Sequence, residues 1–185
     1  MTEKAAFRAD IKARTAALSL VYLADSDRGI LKSLLALPEF QAARRVFLYI
    51  SFGREVDTRA LIDLCRKLKK PIAAPTNLNA GRMDFALLER PLSELPTGVY
   101  GIPQPPDDAV RVTPEADDLV VVPALCYDRE RYRLGRGGGY YDRFLADCPA
   151  FKLGLCREEL VVDSVPRESH DRRVDCLVTE KNVLR

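Results

Sequence analysis

Asp118-Leu-Val-Val-Val-Pro123, followed ten residues later by Arg133-Leu-Gly-Arg-Gly-Gly-Gly-Tyr-Tyr-Asp142, is the stretch on which the fold turns. The first segment is a short β-branched apolar run and reads as a buried strand, the most hydrophobic of the chain and therefore central. Tyr140 to Ala146 can begin and carry a helix. Between them, four glycines in five positions sit beside Arg133 and Arg136. Glycine admits positive φ and lets a ligand approach bare N–H groups, and arginine meets phosphate oxygens in a bidentate fashion. Strand, glycine loop and helix in that order aim a helix N-terminus at an anion.

Spacing removes the two common nucleotide templates. A GxGxxG fingerprint anchored on Gly135 and Gly137 needs glycine where Tyr140 stands, and GxxxxGK[ST] occurs nowhere in the chain. A flexible glycine turn with two solvated arginines is the competing reading. Tyr140, Tyr141 and Asp142 argue against it, because a linker has no reason to set two aromatics and a carboxylate at a helix start.

Working outward, the chain alternates strands and helices. Val46 to Ile50 reads as a strand, Asp57 as the cap of a helix turning Ala60, Leu61, Leu64 and Leu68 inward, and Ile72 to Ala74 as a second strand before Pro75. That βαβ unit implies parallel pairing. Met83 to Leu88, Phe151 to Leu155 and Cys176 to Val178 complete the sheet. Leu92 to Leu95 reads as a helical turn, and Pro91, Pro96, Pro103, Pro105 and Pro106 mark a long irregular connection. Upstream, Phe7, Ile11 and Leu18 recur at helical spacing from Thr2 to about Leu20. Lys4, Arg8, Lys12 and Arg14 form a basic stripe on the same helix, and a charge run of this kind ordinarily means a solvated face. A second helix is expected around Asp27 to Ala36, ending before Pro38.

With 185 residues, 47% of them hydrophobic, the chain is sized for one domain spanning 1–185. Twenty-nine basic against 27 acidic residues leave a net charge of +2, too little for nucleic-acid binding by bulk electrostatics. A small anion is the better partner. Five cysteines, at 65, 126, 148, 156 and 176, form no CxxC pair, so neither a disulfide framework nor a zinc site is expected. No apolar run approaches the ~20 residues that span a bilayer, and Met1 to Arg8 lacks the apolar core of a signal peptide. These features point to a cytoplasmic protein with reduced thiols and no membrane partner.

Ligands of open α/β sheets sit at the carboxyl ends of strands. Glu55, after the first strand, is then either a substrate-orienting carboxylate or the acid of a surface turn. Asp142 and Asp175 could jointly hold Mg²⁺, which takes one or two carboxylates with phosphate oxygens and water, or could be a helix first-turn acid and a strand-edge acid. The single histidine, His170, has no nucleophile motif beside it and reads as a loop residue, which makes triad hydrolysis a poor fit.

Taken together, these pieces resemble the 5-formyltetrahydrofolate cyclo-ligase family, also called methenyltetrahydrofolate synthetases. The resemblance rests on Lys4-xxx-Arg8, on Glu55, on Gly101-Ile-Pro-Gln-Pro105, on Arg133 to Asp142 with Phe144-Leu145 behind it, and on Val174-Asp175. It spans nearly the whole chain, and the RLGxGxGYYD element is the specific part. It implies a single-domain α/β/α three-layer sandwich around a mostly parallel, mixed sheet, similar in architecture to sugar-phosphate isomerases and CoA transferases. It implies a C–N bond-forming ligase that uses ATP and Mg²⁺ to convert 5-formyltetrahydrofolate, with or without a polyglutamate tail, to 5,10-methenyltetrahydrofolate, ADP and phosphate, and that works as a monomer.

By the same resemblance, Lys4, Arg8 and the run Arg133, Leu134, Gly135, Arg136, Gly137, Gly138, Gly139, Tyr140 and Tyr141 bind ATP. Ile50, Glu55 and the segment Arg136 to Tyr140 face the folate. Arg136 and Tyr140 act at the reacting atoms, and Asp142 and Asp175 hold the metal. Some members carry lysine where this chain has Gly138, which removes one phosphate contact here. Two other classes fit parts of the pattern. A sugar-phosphate isomerase or acyl-CoA transferase would rely on Glu55 as its carboxylate, and a non-catalytic phosphate- or RNA-binding module would use the basic helix and the glycine-arginine loop.

Overall fold

The computed structural model describes residues 2–79, 82–98, 101–168 and 171–185, so His170 lies outside the described residues. The chain runs α1 (Glu3–Ala17), α2 (Leu20–Leu35), α3 (Pro38–Ala42), β1 (Val46–Phe47), α4 (Arg59–Lys67), β2 (Ile72–Asn79), β3 (Arg82–Leu87) and β4 (Arg111–Val112). It continues through β5 (Leu119–Val122), β6 (Cys126–Asp128), β7 (Arg133–Leu134), α5 (Tyr140–Ala146), β8 (Phe151–Leu155), β9 (Val161–Val162), β10 (Cys176–Val178) and β11 (Val183–Leu184).

The main sheet has the order β11-β10-β8-β5-β1-β2-β3-β4. Its centre, from β10 through β8, β5 and β1 to β2, is parallel, and β11, β3 and β4 join antiparallel at the two edges. β5 lies in the middle because Leu119, Val120, Val121 and Val122 are all 0% exposed, and only a strand covered on both faces can bury such a run. Each of these side chains contributes about 1.5–3 kcal/mol relative to exposure. The pleat divides them. Leu119 and Val121 join Ile30, Leu34, Phe40, Leu61 and Ile62 under α2, α3 and α4. Val120 and Val122 join Ile11, Tyr127, Leu134 and Leu145 on the other face, under α1, α5 and a second sheet.

That second sheet, β7-β6-β9, was not legible in the sequence, which reads Pro123 to Gly139 as the connection after the central strand. It lies close against the main sheet at Gly154. A Cβ there would stand 2.7 Å from Cζ of Tyr127, whose hydroxyl donates to the Val122 carbonyl at 2.8 Å. Glycine is needed at 154 to let the two layers touch.

Several boundaries differ from expectation: β1 ends at Phe47 and not Ile50, α1 spans Glu3–Ala17, and β3 is shifted by one residue to Arg82–Leu87. Three further differences have a local reason. α2 starts at Leu20, not Asp27. Its first residues are apolar but face water, Leu20 75% and Val21 72% exposed, so periodicity misses them, while Ser19 Oγ caps the helix by accepting from the Tyr22 N–H. In α4 the buried side chains are Leu61, Ile62 and Cys65, whereas Ala60 and Leu68 face solvent and Leu68 lies past the last turn. The N-cap is Thr58, whose side chain makes no capping bond, and not Asp57, which stands one residue earlier and accepts from the Arg59 N–H at 2.9 Å. β2 runs through Pro75 because its ladder with β1 stops at Ala73, so the missing N–H falls where the strand has no partner on that side. By contrast, α5, β8 and β10 begin and end at the residues read from sequence. The five cysteines are free thiols. Among the described residues, no helix is long and apolar enough to cross a membrane.

Candidate active site

From β1 the chain goes to β2 on one side and later returns to β5 on the other, so the sheet has its topological switch point between β1 and β5. The segments leaving the carboxyl ends of these two strands flank the crevice where ligands bind in open α/β sheets. One carries Glu55 and the other carries the glycine loop. They meet: Arg136 Nη2 donates to Glu55 Oε1 at 2.7 Å, and the Arg136 guanidinium lies 4.6 Å from the Phe52 ring centroid. Glu55 Oε2 accepts from the Phe52 N–H at 3.1 Å, which fixes its second oxygen. Arg136 is 51% exposed and Glu55 14%, so the pair is worth no more than about 1 kcal/mol. An incoming anion can take Arg136 from Glu55 at small cost.

The loop is shaped by its glycines. Gly137 and Gly139 have φ of 103° and 67°, and Gly139 is the residue from which α5 starts. At Gly138 the constraint is space, since a Cβ would lie 2.9 Å from the Tyr140 ring. The absence of lysine at this position lets Tyr140 lie against the loop. Arg8 Nε donates to the Gly135 carbonyl at 2.9 Å and Arg143 Nη2 to that of Gly138 at 2.8 Å, so arginines engage the loop's carbonyl oxygens.

Three of the four basic residues of the α1 stripe are engaged, while Lys12 is exposed. Lys4 Nζ meets Asp171 Oδ2 at 2.7 Å, Arg8 holds the glycine loop, and Arg14 Nη2 donates to the Glu159 carbonyl at 2.5 Å. All three partners lie more than 120 residues away in the chain, at separations of 167, 127 and 145. No feature of the helix itself distinguishes this from a solvated stripe.

Other expected residues fall in different settings. Arg133 is turned inward with its side chain 3% exposed, donating to Asp142 Oδ1 at 2.7 Å and to the Arg172 carbonyl at 3.0 Å. Leu134 is 1% exposed and Ile50 5%, so both serve the core. Asp175 sits at the amino ends of β8 and β10, where its Oδ2 accepts from the Lys152 N–H at 2.8 Å. That is the far end of the strands from Arg136 and Glu55, and no hydrogen bond or ion pair among the described residues joins it to Asp142. Instead, Arg133 ties Asp142 to the carbonyl next to Asp171, the acid that also meets Lys4. Asp171 was missed because its loop has neither periodicity nor motif. No group of three or more His, Cys, Asp or Glu suited to a metal occurs among the described residues, though Mg²⁺ bound with phosphate needs only one or two carboxylates.

Tyr141 adds an unexpected feature. Its hydroxyl is buried with no partner among the described residues, although its ring packs edge-on to Phe144 at 6.2 Å. Burial pushes this hydroxyl's pKa well up, with Arg133 opposing and the Glu55 carboxylate adding to the rise. A buried donor without a protein partner is costly and uncommon, and water, an ion or a ligand can complete its bonding. On the other side of Glu55 lies a cleft of about 350 Å³ walled by Asp27, Ser51, Phe52, Asp57, Arg59 and Arg157.

Known proteins match the chain along nearly its whole length. The model of the 5-formyltetrahydrofolate cyclo-ligase family matches residues 1–180. The 5-formyltetrahydrofolate cyclo-ligase of Escherichia coli K12 is 30% identical over 156 residues, covering 81% of this chain and 85% of its own. That of Mus musculus is 28% identical over 189 residues, covering 96% and 93%. The NMR structure of Aquifex aeolicus 5,10-methenyltetrahydrofolate synthetase superposes with a TM-score of 0.87 at 33% identity, covering 100% of this chain and 93% of its own. The Mycoplasma pneumoniae 5,10-methenyltetrahydrofolate synthetase, at 20% identity and a TM-score of 0.76, shares the fold. With its fold and nearly all of its length in agreement, the chain belongs to the 5-formyltetrahydrofolate cyclo-ligase family.

Proposed function

We propose that this enzyme, as a single-domain cytoplasmic monomer, closes 5-formyltetrahydrofolate to 5,10-methenyltetrahydrofolate with conversion of ATP to ADP and phosphate. The observation that carries the reading is the Arg136–Glu55 contact, which brings the loop suited to phosphate and the carboxylate suited to a heterocycle's N–H groups into one crevice. Family membership, the E. coli and mouse relatives and the Aquifex structure support it. They also leave the isomerase, transferase and RNA-module readings without support.

The reaction needs no nucleophilic side chain. The formyl oxygen on N5 attacks the γ-phosphorus of ATP and ADP leaves. N10 then attacks the formyl carbon of the resulting imidate phosphate, loses its proton, and phosphate departs as the five-membered ring closes. The protein's work is alignment and charge neutralisation, as in other phosphoryl transfers. Arg136, released from Glu55, turns to the transferring phosphoryl group, and Glu55 then holds the pterin. Lys4, Arg8 and the N–H groups of Gly137 to Gly139 serve the rest of the phosphate chain. Tyr140 closes over the reacting atoms, and the unpartnered Tyr141 hydroxyl gains its partner from ligand. Arg133 supports the fold beneath the loop through Asp142 and the Arg172 carbonyl.

Asp142 and Asp171 would hold Mg²⁺. The fit favours Asp171 over Asp175 because Arg133 links Asp142 to the Asp171–Arg172 segment and Lys152 holds Asp175 elsewhere. The ion, when bound, offsets the negative charge of the phosphates. Mixing the protein with 5-formyltetrahydrofolate and MgATP should generate the methenyl chromophore with one ADP per turnover. ATP binding with no chromophore would mean a different acceptor.

A further inference from the structure

Glu55 is useful only if the turn that carries it is held still, and that turn is tied down from outside by a buried pair that belongs to neither the glycine loop nor the basic helix. Arg157 follows β8 and has a side chain 2% exposed. Its Nη2 donates to Asp27 Oδ1 at 2.8 Å and to the Glu55 carbonyl at 3.2 Å. The same Asp27 Oδ1 accepts from the Asp57 N–H at 3.1 Å. One carboxylate oxygen and one guanidinium nitrogen thus fasten the backbone on both sides of Val56. Within the turn, Ser51 and Thr58 exchange hydrogen bonds, the Ser51 hydroxyl donating to Asp57 and accepting from the Thr58 N–H.

We infer that Arg157 and Asp27 are positioning residues for the reaction, clamping the Phe52–Asp57 turn so that the Glu55 carboxylate points into the crevice between β1 and β5. This rests on the cyclo-ligase reading. A role in stability alone does not account for the arrangement. A buried ion pair is a poor stabiliser compared with apolar packing, and Arg157 Nε is buried with no partner among the described residues. Buried ionic groups whose bonding is incomplete give geometry more readily than stability. Asp27 also lines the cleft beside Glu55, with Leu23 of the same helix, and so joins α2 to the site.

The test is a double-mutant cycle. Arg157→Met keeps the side-chain volume, Arg157→Lys keeps a single donor, and each is combined with Glu55→Gln. In the Arg157→Met enzyme we expect kcat/KM for 5-formyltetrahydrofolate to fall by about 10–100-fold, because displacement of a positioned group by about 1 Å costs up to ~10². The KM for ATP should be unchanged and Arg157→Lys should restore part of the loss. In the Glu55→Gln background, Arg157→Met should cost less than about 3-fold, since it acts through a carboxylate that is already gone. A loss of equal size in both backgrounds overturns the inference, as does unchanged kcat/KM in the single variant. If Arg157→Met does not fold, Asp27→Asn, which keeps the acceptor oxygen but not the charge, carries the same cycle. Wild-type turnover separates failure of this inference from failure of the cyclo-ligase reading. Should wild type make no product, a crystal structure of Arg157→Met still decides, because the turn must be displaced and Arg136 must no longer reach Glu55. A turn left in place overturns the clamp whatever the reaction.

Discussion

Replacing Arg133 by methionine should destabilise the protein while leaving its affinity for MgATP largely intact. The guanidinium is 3% exposed and bonds Asp142 and the Arg172 carbonyl at 2.7 and 3.0 Å. Removing one partner of a buried pair costs about 3–5 kcal/mol. Asp142 retains 23% exposure, so water can take up part of its charge and the low end, about 3 kcal/mol, applies. Losing the donor to the Arg172 carbonyl adds about 1 kcal/mol, and methionine keeps most of the buried stem. The sum is about 4 kcal/mol, and at about 2–4 °C per kcal/mol for a chain of this size Tm should fall by about 8–16 °C. Differential scanning calorimetry with and without MgATP measures this directly. A ligand at 100 times its Kd stabilises by about 2.7 kcal/mol, and that increment should survive in the variant. A Tm within about 2 °C of wild type, combined with loss of the MgATP increment, would refute the structural role and make Arg133 a phosphate ligand, as the sequence pattern alone suggests.

Arg136→Ala and Asp142→Asn should each fold as wild type, the latter because asparagine keeps an oxygen for Arg133, and each should lose turnover by ~10²–10³ in the methenyl-forming assay. Near-native turnover in both would sink the site assignment. Burial pushes the Cys65 thiol up to about 11 and Cys126 to about 12, so native protein at pH 8 should alkylate at these positions only through unfolding, as mass spectrometry of iodoacetamide-treated samples would report. Asp118 is buried, which by itself would raise its pKa, but hydrogen bonds from Arg45 and the Glu115 N–H hold it below the ordinary aspartate value. A depressed carboxylate stabilises the fold above its unfolded pKa of about 3.9 and loses that contribution as pH falls through its lower folded value. Acid unfolding monitored by circular dichroism should therefore steepen below about pH 4, and Asp118→Asn should flatten that limb while lowering stability at neutral pH.

The sheet was legible wherever a strand is buried on both faces, because β5, β8 and β10 announce themselves by apolar runs between charged or proline-marked ends. The strands of the second sheet are two or three residues long and carry Asp128 and Arg133, so neither periodicity nor hydrophobicity betrays them. Within the site, the loop residues and Glu55 were visible because their composition is unusual for a turn. Arg157, Asp27 and Asp171 were not, since each acts through a contact made between segments more than 100 residues apart. Val174-Asp175 drew attention as a motif, yet the pairing of β8 with β10 fixes Asp175 at the end of the sheet where β8 begins, beside Lys152. Sequence spacing cannot tell which end of a strand faces the crevice until the neighbouring strand is known.

The contacts from α1 also govern how the protein can be made. Lys4 reaches Asp171 and Arg8 reaches Gly135, so the first helix finds its partners only after nearly the whole chain has been synthesised. At about 5–20 residues per second, some 10–30 seconds pass between the emergence of Lys4 and that of Asp171. Ile11 packs with Phe47, Phe85, Val120 and Tyr127, so until those have emerged the nascent chain presents an apolar helix edge of the kind that chaperones hold. Binding competence should accordingly be acquired late, after β1, β2, β5 and β8 have been made.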